Sequence, residues 1–156
     1  MQDSVSSLWE YALTAYADPD VAHACLLAQD AHGVDVNLLL CAAWCAALGR
    51  ALDDAAVVAL DEQCRSWREQ VIAPLRRQRR LWKGDPTHSE DYAAAKRLEL
   101  AAEREQLERL QSTLAPEHSA AHTAELIDAN LRAIFAYFGA SDTAFLPLAR
   151  ALRNRA

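Results

Sequence analysis

Val36-Asn37-Leu38-Leu39-Leu40-Cys41-Ala42-Ala43-Trp44-Cys45-Ala46-Ala47-Leu48 decides the fold. It has almost no polar residue on any side, and Asp35 stands before it and Gly49 after it. An acid immediately ahead of an apolar segment reads as an N-cap, and a glycine just past it as a C-terminal stop. A helix that is apolar all round must be covered by its neighbours, so Val36–Leu48 is expected at the centre of an all-helical fold. The eleven-residue apolar run Leu38–Leu48 is too short to span a bilayer.

The flanking sequence supplies the covering helices. Ser7 and Glu10 form an S-x-x-E capping box ahead of a helix over about Leu8–Ala17. Asp18-Pro19 opens a second helix that runs to His32, where Gly33 stops it. After Gly49, Asp53 or Asp54 caps a fourth helix. Its apolar residues Val57, Leu60, Cys64, Trp67 and Val71 repeat at alternating steps of three and four, the mark of a single packing seam. Pro74 is expected to bend or break that helix, because it lacks a backbone N–H. The pattern resumes with Leu75 and Trp82.

Lys83-Gly84-Asp85-Pro86-Thr87 is a loop. A charged fifth helix follows over about Ser89–Leu114, with Leu100, Leu107, Leu110 and Leu114 on its apolar stripe and Glu105–Arg109 as an i,i+4 pair. A sixth covers about Glu117–Phe138, with Ile127, Leu131, Ile134 and Phe138 inward, and ends at Gly139. A short last helix carries Phe145, Leu148 and Leu152, with Pro147 near its start.

The 156 residues contain only 4 Gly and 5 Pro and are 52% hydrophobic, which suits helices better than sheets. The expected architecture is one all-α domain over residues 1–156. It is a bundle of six to seven helices with a central apolar helix. Helices four and five are long enough to form an antiparallel hairpin that extends past the core.

Leu8-Trp9-Glu10-Tyr11-Ala12-Leu13, Tyr16-Ala17, Ala24-Cys25-Leu26, Gln29-Asp30 and Gly33-Val34-Asp35-Val36-Asn37-Leu38-Leu39-Leu40 resemble a family of proteobacterial conserved hypothetical proteins, a domain of unknown function. The likeness is strongest over residues 8–48. It implies a small bacterial cytoplasmic protein and carries with it no activity, cofactor or catalytic residue.

Charge is segregated along the chain. Residues 1–64 hold ten acids against the single base Arg50, whereas residues 65–83 hold seven bases against Glu69 alone. The net charge of −6 argues against nucleic acid and against an anionic membrane as general partners. The basic block either docks on the acidic half or faces an acidic partner. The start Met-Gln-Asp has no basic stretch leading into an apolar run, so no signal peptide is expected. Cys25, Cys41, Cys45 and Cys64 form no C-x-x-C pair and fall within apolar helical stretches, which reads as reduced core cysteine in the cytoplasm.

Five groups of residues are candidates for function. Gln29, Asp30, Asp35 and Asn37 crowd the turn between helices two and three. They could hold a cation or a small polar ligand, or else serve as a cap and turn fasteners. Arg76, Arg77, Arg79, Arg80, Trp82 and Lys83 could grip a protein partner or a phosphate, or form a solvated helix end. His118 and His122 share a helix face with Glu125, as in a metal half-site, but that row points away from the core and reads as surface. The cysteines lack electropositive surroundings and read as packing. The aromatic residues Trp9, Tyr11, Tyr16, Trp44, Trp67, Trp82, Tyr137 and Phe138 read as core or interface anchors. No metal, cofactor or catalytic residue is assigned.

Two roles follow. The first is a non-enzymatic interaction or regulatory module, self-associating or binding another protein through the helix four–five hairpin. The second is a small-molecule-binding or enzymatic bundle with its site at the helix two–three turn. A pocket at that turn favours the second. A pocketless apolar strip beside Arg76–Lys83 favours the first.

Overall fold

Capping side chains start the N-terminal helices where their sequences place them. The computed structural model describes residues 6–114 and 123–155. In α1 (Leu8–Tyr16), the Ser7 hydroxyl accepts from Glu10 N at 3.1 Å and the Glu10 carboxylate accepts from Ser7 N at 3.1 Å, so the capping box is complete. Asp18 caps α2 (Pro19–His32), which ends at Gly33 in the left-handed conformation, φ 65°. That φ is the reason a glycine stands there. Asp35 then caps α3 (Val36–Ala47) through Asn37 N at 2.8 Å.

Helix α3 is the central rod. Leu38, Leu39, Cys41, Ala42, Cys45 and Ala46 are fully buried, and α1, α2, α6 (Ser89–Thr113) and α7 (Thr123–Tyr137) all pack on it. One continuous core joins α3 to Leu8, Val21, Leu60, Leu110, Ile134, Phe145 and Leu148. Asn130 of α7 (Thr123–Tyr137) closes the irregular segment after α3. Its amide donates to Ala42 O and Arg50 O and accepts from Leu52 N. A fully buried amide is tolerated there because each of these bonds replaces one to water. The last helix, α8 (Leu146–Asn154), packs on α2 and α7. Pro147 lies in its first turn, where no N–H is required.

Of the bend or break expected at Pro74, the break does not occur. Asp53, not Asp54, caps α4 (Asp54–Trp67) through Ala56 N at 2.7 Å. The backbone then widens into one π turn, Arg68–Ile72, and continues as α5 (Ala73–Trp82). Ala73 N bonds back to Arg68 O just ahead of the proline. The extra residue in that turn lets the rod pass Pro74 as a re-phased helix.

A short loop and a 3₁₀ turn at Pro86–His88 lead into α6 (Ser89–Thr113), which runs antiparallel to α4 and α5. Trp82 stacks on His88 near the tip, Arg76 meets Glu99 midway, and Trp67 Nε1 donates to Ala102 O at 2.8 Å near the base. The distal hairpin has little apolar core: α5 buries no residue completely. Of the expected α6 stripe, Leu107 and Leu110 are buried and Leu114 is half-buried, but Leu100 is 50% exposed. Phe138, expected inward, is half-buried, while its neighbour Phe135 is in the core.

Among the described residues there is no strand, and no helix is long and apolar enough to cross a membrane. The first part of the sixth expected helix, with His118 and His122, lies outside the described residues. Glu125, in the first turn of α7, is exposed.

Candidate functional site: a charged, apolar-walled cavity

A cavity of about 580 Å³ lies between the hairpin, α1 and the α2–α3 turn. Trp9, Leu13 and Tyr16 of α1, Leu26 of α2, Leu40 of α3, Ile72 of the π turn and Leu100 and Leu107 of α6 supply its apolar wall. Leu13, Leu26 and Leu100 remain 43–50% exposed at its mouth.

Two candidate groups far apart in sequence meet here. Gln29, Asp35 and Asn37 line the cavity from the α2–α3 turn, and Arg76, Arg79 and Arg80 line it from α5. Asp30 is exposed and is not part of the wall, nor are Arg77, Trp82 and Lys83 at the tip.

Asp35 does more than cap α3. Its Oδ1 accepts from Asn37 N, while its Oδ2 accepts from Arg68 Nη1 at 2.9 Å and from Gln106 Nε2 at 2.8 Å. Gln106 Oε1 in turn accepts from Asn37 Nδ2 at 2.9 Å. Arg68 also reaches the buried Asp61, whose Oδ1 is 2.8 Å from Nη1. The other oxygen of Asp61 accepts from Tyr137 Oη at 2.6 Å and Arg65 Nη2 at 2.9 Å. Burial pushes the Asp61 carboxyl up, but the hydrogen bonds from Tyr137, Arg68 and Arg65 together hold it below its ordinary value.

A second row of charge runs along the hairpin. Arg76 donates to Glu99 at 3.0 Å and to Glu103 at 3.1 Å, and Arg79 also hydrogen-bonds Glu99. Glu99 is nearly buried. Burial raises its pKa, and the two arginines more than reverse that, leaving it lowered. Glu103 goes the other way. Burial raises it, Arg76 opposes this, and the nearby Glu99 charge adds to the rise, so Glu103 takes up a proton more readily than a free glutamate.

The sequence reading missed Arg68, Glu99, Glu103 and Gln106. A signal was available: Glu99, Glu103 and Gln106 follow i, i+4, i+7 spacing beside the leucine stripe, opposite Arg76 and Arg79 in an antiparallel hairpin. The basic block does dock, but on α6 for Arg76 and Arg79 and on Asp35 and Asp61 for Arg68.

The four thiols are buried and free. Burial pushes Cys25 up to about 12 and Cys64 to about 11. Among the described residues no group of three or more His, Cys, Asp or Glu is placed to hold a metal ion.

Fold and site together define an all-α protein with a charged, apolar-walled cleft between a helical core and a projecting hairpin. The chain belongs to the family described as protein of unknown function (DUF2390), whose model matches residues 7–110. All the cavity-lining residues lie within that span, and α7 and α8 lie beyond it. No curated protein and no solved structure matches the chain.

Proposed function

We propose that the protein binds a small molecule in the cavity between α1, the α2–α3 turn and the hairpin. The observation that carries this is the meeting of two polar groups, Gln29, Asp35 and Asn37 on one side and Arg76, Arg79 and Arg80 on the other, on one largely apolar wall. Ligand pockets combine mainly apolar walls with a few placed polar groups, at volumes of roughly 300–1,000 Å³. The wall carboxylates Asp35, Glu99 and Glu103 accept hydrogen bonds from arginines or amides, which suits fixed groups that shape a binding site. The buried free thiols support a reducing compartment, and we place the protein in the proteobacterial cytoplasm.

The test is a thermal-shift screen of a metabolite library against wild type, Leu13→Glu and Leu100→Glu. Both leucines are half-exposed at the mouth, so the folds should survive, as circular dichroism would check. Wild-type hits should vanish in both variants. Protein–protein interaction is the second reading, favoured by Leu81, 75% exposed beside Arg80 at the hairpin tip. Hits that persist in both variants, together with a sedimentation coefficient that falls in Leu81→Asp, would put that reading first.

A further inference from the structure

We infer that the occupant of the cavity is a single-chain anionic amphiphile, with its tail on the apolar wall and its head at the α5 end. This rests on the small-molecule reading above and adds the ligand class.

The mouth of the cavity is apolar. Leu13, Leu26 and Leu100 all line the cavity, yet about half of each is in water. A hydrocarbon chain laid along them removes that surface from solvent, at a gain proportional to the area covered.

Charge is unevenly distributed along the wall. At the α5 end Arg76, Arg79 and Arg80 face Glu99 and Glu103, which leaves one positive charge over. Glu99 is shared between two arginines and can neutralise only one of them. Arg80 is exposed and has no hydrogen bond or ion pair among the described residues, so its guanidinium can receive an anion without breaking an existing pair. At the opposite end Arg68 is held by Asp35 and Asp61, and Glu69 lies about three helical turns from Arg80. A cationic head at the α5 end would meet Arg80 while the carboxylates there are already engaged. An anionic head meets a fork of free N–H donors.

The experiment is calorimetric titration of the full chain with three ligands that share a ten-carbon tail: decanoate, decan-1-ol and decyltrimethylammonium, each below its aggregation concentration. Decanoate should bind about tenfold more tightly than either of the others, the scale of one charge-assisted contact. Arg80→Ala should bring decanoate to within about twofold of decanol, since only the head contact is lost. Glu103→Gln should tighten decanoate, because Arg76 is released from one of its two carboxylates. Equal affinity for the three heads, or preference for the ammonium, overturns the anionic class and leaves the small-molecule reading standing. If none of the three binds while the library hits persist, the amphiphile is wrong but the cavity is still a site. Loss of both removes the cavity altogether.

Discussion

At the scale of single residues, Asp35 shows how much a cap can carry. A surface N-cap aspartate is worth about 1 kcal/mol. Here the second carboxylate oxygen also holds Arg68 and Gln106, and the side chain is only 7% exposed. Removing the carboxylate leaves Arg68 with Asp61 alone and the Gln106 amide without its acceptor. Asp35→Ala should therefore lower the unfolding free energy by about 3 kcal/mol, and Asp35→Ser, which keeps the cap, should recover only about 1 of that. Urea denaturation of both variants decides. If Ser restores wild-type stability, the Arg68 and Gln106 bonds contribute nothing. Asp35 was legible as a cap from its place before an apolar run. Its partners at positions 68 and 106 were not, because nothing local in a sequence states which distant helix faces a given carboxylate.

At the scale of elements, the rod from Asp54 to Trp82 turns on its π turn. One extra residue rotates all that follows by about 100° relative to an unbroken α-helix. That rotation lets α4 present Val57, Leu60 and Cys64 to the core while α5 presents Arg76 and Arg79 to Glu99. Gln70 is exposed within the turn, so Gln70→Ala should change stability by less than about 0.5 kcal/mol. Deleting Gln70 should cost about 3 kcal/mol or more, because the arginines swing away from Glu99 and leave it nearly buried and unpaired. A deletion as mild as the alanine variant would show that the register of α5 does not matter. The sequence marked the spot through Pro74. It could not say whether the chain would break there or re-phase, since that depends on whether α6 rewards a continuous rod.

At the scale of the whole molecule, carboxylates of opposite character set the response to pH. Asp61 and Glu99 titrate below their ordinary values in the folded state. Their contribution is therefore present above the unfolded values, near 4, and is lost as pH falls through the folded ones. Glu103 is raised, so its contribution is full below about 4.5 and is lost as pH rises through its folded value. Urea midpoints should decline below about pH 4, and Glu103→Gln should exceed wild type at neutral pH while matching it near pH 4. A variant that is weaker at neutral pH would mean that the Arg76–Glu103 pair outweighs the cost of burying the glutamate.

By itself the sequence determined the helices, their caps at Ser7, Asp18 and Asp35, and the central position of Val36–Leu48. These are local matters: a cap needs only its own next turn, and a helix without a polar face has nowhere to sit but inside. Tertiary structure alone decided that the α2–α3 turn and the arginines of α5 share one cavity. It also decided that Glu99, Gln106 and Asn130 are buried among partners rather than solvated. Those outcomes depend on which faces meet across the bundle, and helix phase past residue 68 is set by a turn whose width only its neighbours select.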